Sequence, residues 1–478
     1  MKTVLAYDLG ASSGRLVAQG FNGKKLEMTE IHRFANRPIY ENGHYYWDYA
    51  HLIRELNTGI EKVDFQAESL GIDTWGVDFG LLQRNGTLVS KPFSYRDTYP
   101  EPYVQQATNN IPAYELFQQT GNEISAINTL FQLMAIQHQY PHYLEETAQI
   151  LMTPNLLMHA LSGVMMNEFT ISSTSQLVNA NKQWDEQIQN TFFNKQLPLA
   201  KIEMPHQIVG SLTSNKNIKM ALVPGHDTAC ALSALPIQKA NSIFMSIGTW
   251  GLIGKEIEAP ITTIEAFQEG FTNEGTSEGH YRFQKNAMGF WILQKLREEW
   301  KQQGLHFTYE QEIHELTKAK PFQTFIDPDD ALFFNPPSMI QAIKDYCSKT
   351  NQQAPTKVGA QIRCFVESLA LKFAHTIKQI EKITQSTTSE IQIGGGGTQN
   401  KNLCQFIANA TQKTVFTGPA EASSIGNGLS QLRALGEIHT IEEGRLLVAN
   451  SFDMMEYEPK HANEWQEATT KFQQLLHN

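Results

Sequence analysis

Thr3-Val-Leu-Ala-Tyr-Asp-Leu-Gly-Ala-Ser-Ser-Gly-Arg-Leu-Val-Ala-Gln-Gly20 decides the fold, because strand chemistry resumes after its glycine turn. Val4 to Tyr7 form an apolar run that ends in Asp8. Gly10 to Gly14 reads as a tight turn, and Arg15 to Gln19 continues as a strand rather than with helical periodicity. A dinucleotide fold needs a G-x-G-x-x-G turn that opens a helix, and a P-loop needs a Lys-Ser/Thr pair after its second glycine. Neither is present. What remains is a β-hairpin whose turn offers backbone N–H groups and two serine hydroxyls to an anion, with a carboxylate at its base. An ordinary hairpin that uses glycine for backbone freedom fits the same residues.

The second half of the chain repeats the device. Ser242 to Ser246 is an apolar strand, Ile247-Gly-Thr-Trp-Gly251 a turn, and Leu252 to Lys255 resumes the strand. Two such units about half a chain apart suggest a duplicated architecture, each half turning a phosphate-facing loop towards a shared cleft.

A chain of 478 residues is too long for one core and suits two or three domains. Its net charge of −11 (38 basic against 49 acidic residues) is spread evenly, without a Lys/Arg cluster. That argues against nucleic acid or an anionic membrane as the main partner. Leu156 to Met166 is the most apolar later segment, but His159 and Ser162 interrupt it, and a membrane span needs about 20 residues. The N-terminus lacks the pattern of a secretory signal. Four cysteines (Cys230, Cys347, Cys364, Cys404) show no C-x-x-C spacing, so reduced buried thiols of a cytoplasmic protein are expected. A Cys347–Cys364 contact stays open.

Strands alternating with helices call for an α/β fold. Asp48 caps a helix running to Val63, with Leu52, Ile53, Leu56, Ile60 and Val63 on one face. Ser69–Asp73 and Phe79–Leu82 are strands, and Asn85-Gly86 is a hairpin turn. Met220–Val223 is a strand leading into Pro224-Gly-His-Asp-Thr228, with a helix over Ala229–Leu235. Pro236 to Ala240 marks a domain boundary. Asn286–Trp300 and Ile362–Ile383 read as helices, Glu390–Ile393 as a strand and Asn402–Ala410 as a helix. A polar amphipathic helix begins near Glu464.

Four constellations carry chemistry. Asp8 stands beside the Gly10–Gly14 turn. Asp227 follows Gly225-His226 where a strand gives way to a helix, whose dipole keeps a carboxylate ionised, although a plain N-cap fits too. The Gly394–Gly397 run lets a flat or charged ligand approach the backbone, or is simply a tight turn. Trp75-Gly-Val-Asp78 suits a small polyol, with a ring face for C–H groups and an acceptor for hydroxyls; a core tryptophan beside a turn glycine is the other reading.

Together these features describe an ATP-dependent phosphotransferase, and here the chain resembles the FGGY carbohydrate kinases of the actin-like ATPase superfamily. The matching segments are Asp8-Leu-Gly-Ala-Ser-Ser-Gly-Arg15, Trp47-Asp48, Ile72-Asp-Thr-Trp-Gly-Val-Asp-Phe79, Tyr95-Arg-Asp97, Asn128-Thr-Leu-Phe-Gln-Leu133, His226-Asp-Thr228, Ser246-Ile-Gly-Thr-Trp250, Lys285-Asn-Ala-Met-Gly289 and Gly395-Gly-Gly-Thr-Gln-Asn400. Glu421-Ala-Ser-Ser-Ile-Gly-Asn427 extends the match. Gly394 departs from it, standing where relatives carry an aliphatic residue.

The resemblance implies a two-domain actin-like ATPase (ribonuclease H-like) α/β fold with an interdomain cleft. Residues 1–240 would form a sugar-binding domain, and residues 241–478 a nucleotide-binding domain with a terminal helix. It implies ATP-dependent phosphorylation of the C1 hydroxyl of L-rhamnulose. Kinases for L-fuculose or L-xylulose, and an actin-like ATPase without sugar kinase activity, are the alternatives. Asp227 would be the catalytic base, for which a carboxylate of ordinary pKa suffices. Gly76, His226, Asp227, Thr228 and Asn286 would hold the ketose, with Asp78 a further candidate. Ala11, Ser12, Ser13, Gly14, Arg15 and Thr249 would cradle the ATP phosphates, and Gln294 and Gly396 would lie along the nucleotide. Asp8 would orient Mg²⁺, mostly through water.

Overall fold

The computed structural model describes residues 1–237 and 239–476; Gln238, in the expected boundary segment, and His477 and Asn478, after the terminal helix, lie outside the described residues. The chain divides into two compact units. The first comprises residues 1–236, 256–283 and 421–452, and the second 237–255, 284–420 and 453–478. Two segments beyond position 240 therefore return to the first unit.

The first unit is built on a mixed sheet of β1 (Lys2–Leu9), β2 (Ser13–Phe21), β3 (Leu26–Ala35), β4 (Ser69–Thr74), β5 (Gln207–Ser211) and β6 (Lys219–Leu222). Their spatial order is β5-β6-β4-β1-β2-β3. β1 and β2 form the antiparallel hairpin expected from the opening residues, pairing Asp8 with Arg15 and Leu9 with Gly14. β4 runs parallel to β1 and sets Asp73 opposite Asp8. Every residue of β4 is buried, because helices cover both faces of the sheet. On one face the helix Tyr49–Glu61 is capped by Asp48, whose side chain accepts a 2.9 Å hydrogen bond from His51 N. Its Leu52 and Leu56 pack into the cluster around Tyr7, Leu16 and Leu70, each contributing about 1.5–3 kcal/mol by burial.

On the other face lie the helices Asp227–Ala234 and Ala422–Ala434. Their approach is so close that a Cβ on Gly426 would sit 1.8 Å from the Cys230 carbonyl oxygen. Polar side chains of the second helix also reach into the sheet. Gln431 Nε2 donates to Leu5 O at 2.8 Å, and Asn427 Nδ2 donates to Asp73 Oδ2 at 2.7 Å. The small residues of Glu421–Asn427 serve this packing.

In the second unit β7 (Ile243–Ile247) and β8 (Trp250–Ile257) form the second hairpin. Parallel to β7 runs β9 (Ile391–Gly394), followed by β10 (Val415–Thr417) and β11 (Glu456–Tyr457) in the spatial order β8-β7-β9-β10-β11. The long helix Val358–Thr384, expected over Ile362–Ile383, buries Phe365, Leu369, Phe373, Ile377 and Ile380. The terminal helix spans Ala462–Leu476.

One segment differs from expectation. Asn286 lies within a strand, Tyr281–Met288, and the helix begins only at Trp291. The cause is Gly289: a Cβ there would lie 2.4 Å from Gly248 O, so the backbone must turn against the 248–250 loop before helix can start. Gly394 is the buried last residue of β9, opposite Ser246, and leaves residues 395–397 free to form the turn. All four cysteines are free and buried. No helix among the described residues is long and apolar enough to cross a membrane.

Candidate active site

Three carboxylates gather where parallel strands of the first unit end, the usual ligand position of open α/β sheets. Asp8 and Asp73 are register partners near the ends of β1 and β4. The chain after β6 continues beside β4, with Thr74 N donating to Gly225 O at 2.9 Å and Thr74 bridging to His226. Asp227 then opens its helix as the first helical residue, with His226 at the N-cap.

Asp8 is nearly buried, and its Oδ2 accepts from Arg15 Nη2 at 2.7 Å and Ser424 Oγ at 2.8 Å. Its Oδ1 makes no hydrogen bond among the described residues. Asp73 is fully buried; one oxygen accepts from Asn427 and the other is unpartnered. Burial, and then the Asp8 charge, push its pKa well above the usual range. Asp227 keeps 30 % of its side-chain surface and accepts from Thr228 Oγ1 at 3.2 Å. Burial, followed by the Asp8 charge, raises it to about 7. The ordinary pKa expected from a helix N-terminus is thus overridden by desolvation and a like charge.

The first turn is braced from β3: Asn36 Nδ2 donates to Gly10 O at 2.9 Å, and Asn36 N to Ser12 O at 3.0 Å. Arg96 Nη2 donates to Ala11 O at 3.1 Å. Ser12 is exposed, and Ala11 and Ser13 are half-buried, so these residues present the turn's polar groups. Gly14 lies where the turn passes into β2. It is buried, and a Cβ there would lie 2.3 Å from the Phe34 ring, so its bareness admits that ring. The Arg15 guanidinium is engaged by Asp8 and Glu421.

His226 and Thr228 flank Asp227, and Gly76 faces them, its Cβ position 3.1 Å from His226 Nε2. His226 Nδ1 lies 2.9 Å from Arg282 Nη2, which also donates to Glu274 Oε2 at 2.7 Å. Burial, then the Arg282 charge, hold the His226 pKa well below the usual range, so the ring is neutral. Beside Gly76, Val77 sits at φ 67°, strain of about 1–3 kcal/mol for a β-branched residue. Its backbone is pinned by Thr174 Oγ1, which accepts from Val77 N at 3.0 Å, and Thr129 Oγ1, which donates to Val77 O at 2.6 Å. Glu168 Oε2 accepts from Gly225 N at 2.8 Å and fixes the approach to His226.

Asp78 is not open to a sugar. It is fully buried and accepts from Trp47 Nε1 (2.6 Å), Trp75 Nε1 (2.9 Å), Gln132 Nε2 (3.0 Å) and Tyr95 N (3.2 Å). Trp75 itself is buried against Trp47, with ring centroids 4.1 Å apart. The motif segments containing Trp47, Trp75, Tyr95 and Gln132 thus converge on one internal carboxylate.

In the second unit Thr249 is exposed at the β7–β8 turn, and Gln294 Nε2 lies 3.2 Å from Thr249 Oγ1. Gly397 packs on Ile247, where a Cβ would come within 2.4 Å of its side chain, whereas Gly396 faces open space. Gly396 is the position of this run that a ligand can approach. Asn286 is exposed.

Asp73, Ser424 and Asn427 lie in matching segments but were given no role, and Glu168, Glu274 and Arg282 escaped the sequence reading. Lone charges inside apolar strands, such as Asp73 in Ser69–Thr74 and Arg282 between Tyr281 and Phe283, were the available signal.

The chain matches the models of the FGGY family of carbohydrate kinases, the N-terminal domain over residues 3–231 and the C-terminal domain over residues 243–435. It is 38 % identical over 468 residues to a rhamnulokinase of Halalkalibacterium halodurans, covering 96 % of this chain and 99 % of the relative. A rhamnulokinase of Bacteroides thetaiotaomicron is 36 % identical over 482 residues, covering 98 % and 99 %. Among solved structures, ligand-bound xylulose kinase from Lactobacillus acidophilus superposes with a TM-score of 0.83 at 14 % identity, covering 99 % of this chain and 98 % of that one. Plasmodium falciparum glycerol kinase with ADP gives 0.83 at 14 % identity, covering 100 % and 98 %. These structures share the two-domain actin-like α/β fold of sugar kinases.

Proposed function

The chain belongs to the FGGY family of carbohydrate kinases, and on that premise we propose that it transfers the γ-phosphoryl group of ATP to the C1 hydroxyl of L-rhamnulose, giving L-rhamnulose 1-phosphate and ADP. The observation that carries the mechanism is Asp227: a partly exposed carboxylate at a helix start, with its pKa near 7, beside a buried neutral histidine. A base of that pKa is about half ionised at neutral pH and retains affinity for the proton it takes. Asp227 accepts the C1 hydroxyl proton as that oxygen attacks the γ-phosphorus and the bond to ADP breaks. His226, Thr228, Gly76 and Asn286 hold the ketose. Ala11, Ser12, Ser13 and Thr249 receive the phosphates, Gly14 shapes their turn, and Arg15 orients Asp8. Gln294 and Gly396 lie along the nucleotide.

No cluster of three or more metal-binding side chains occurs among the described residues. Asp8, with one oxygen uncommitted, fits a Mg²⁺ ion held mainly by phosphates and water. When bound, Mg²⁺ neutralises charge developing on the β- and γ-phosphates. The four free thiols support a reducing compartment such as the cytoplasm.

A coupled ADP-release assay over L-rhamnulose, L-fuculose and L-xylulose tests the substrate. L-Rhamnulose should give the highest kcat/KM; a higher value for another ketose overturns the assignment, and ATP turnover indifferent to every ketose overturns kinase activity.

A further inference from the structure

Arg282 is completely buried inside the first unit, between the buried rings of Tyr281 and Phe283. Its Nη2 has two hydrogens, and both are used: one goes to Glu274 Oε2 at 2.7 Å, the other to His226 Nδ1 at 2.9 Å. Nε and Nη1 are buried without hydrogen bonds. A guanidinium only donates, whereas a neutral imidazole has one donor and one acceptor nitrogen. A proton on His226 Nδ1 would face an N–H at hydrogen-bond distance, so the ring proton belongs on Nε2. Glu274 holds the guanidinium in place, its Oε2 lying 3.7 Å from His226 Nδ1.

Nε2 makes no hydrogen bond among the described residues. It sits 3.7 Å from Asp227 Oδ1 and beside bare Gly76, whose Cβ position is 3.1 Å away. The N–H is therefore directed into the space next to the base. We propose that Arg282 is a positioning residue that fixes His226 as the Nε2–H tautomer, so that His226 recognises its ligand by donating to an acceptor oxygen of the ketose. The inference rests on the reading above that His226 holds the sugar. Arg282 touches no reacting atom; it acts through His226.

The test begins with the wild-type protein. ¹⁵N-histidine NMR, with His226 assigned from the H226N spectrum, should show a neutral ring protonated at Nε2; a ring protonated at Nδ1 overturns the proposal, without any variant needing to fold. In R282M the ring should lose its fixed tautomer, and KM for L-rhamnulose should rise about tenfold, the loss of one well-placed hydrogen bond, while KM for ATP stays within about twofold. R282K, which keeps a cationic donor, should recover part of that loss. In an H226A background R282M should add nothing further to KM for the ketose. An equal effect with and without His226 makes Arg282 merely structural and overturns the proposal. If H226A itself leaves the ketose KM unchanged, the sugar-site reading fails instead; an H226A effect without an R282M effect defeats this inference alone.

Discussion

Substituting Gly14 separates two roles for the first hairpin. Gly14 and Phe34 are cross-strand partners between β2 and β3, and the ring lies over the glycine. An added Cβ would meet three ring atoms at 2.3, 2.7 and 2.9 Å, so the ring must retreat by roughly 1.1 Å to reach ordinary contact near 3.4 Å. Overpacking of that kind costs about 1–3 kcal/mol. Phe34 is only 7 % exposed, so F34A alone should cost about 3–5 kcal/mol through the lost ring and the cavity it leaves. In G14A/F34A the clash is gone, and the double variant should be about 1–3 kcal/mol more stable than the sum of the single effects predicts. Denaturant midpoints at constant m-value for the four proteins measure this coupling. KM for ATP supplies the second reading: a rise in G14A should reverse in the double variant, because the turn regains its shape. Additivity within about 0.5 kcal/mol would refute the packing role. An ATP defect that persists in the double variant would return Gly14 to direct phosphate contact.

Two further outcomes follow from electrostatics. Since Asp227 must be ionised to accept a proton, kcat/KM for the ketose should fall as pH drops through about 7, and a pH–rate profile whose acid limb lies instead in the ordinary carboxylate range near 4 contradicts the raised pKa. Glu278 is pushed up by burial but pulled down more strongly by His206 and Arg433, to about 2. Its folded pKa lies below the unfolded value of about 4.3, so its contribution, at most about 3 kcal/mol, is complete above that pH and lost as pH falls towards 2. The acid-side loss of thermal stability should be shallower in R433M than in wild type; unchanged slopes would discount the His206–Arg433–Glu278 cluster.

Local chemistry was legible wherever short-range pattern decides it. The hairpin Lys2–Phe21, its repeat at Ile243–Ile257 and the strand-to-helix junction at Asp227 were all readable, because each rests on an apolar strand ending in glycine or a capping residue. What eluded the sequence depends on partners far along the chain. Asp78 carries the residue type of a sugar contact, but four donors, three of them from other segments, enclose it. Gly14 belongs to a turn read as phosphate-facing, and only the register with Phe34 shows that its bareness also makes room for a ring. The segment around Gly426 returns to the first unit because only a bare helix face can pack against Cys230. The pKa of Asp227 needed Asp8 and its burial, neither of which periodicity reports.

The most direct test of the central claim is the turnover of D227N with saturating ATP and L-rhamnulose. The amide keeps the shape and cannot take the proton, so kcat should fall by about 10²–10⁴ while both substrates still bind. Turnover within a few-fold of wild type would remove Asp227 from the base's role and with it the mechanism built around it.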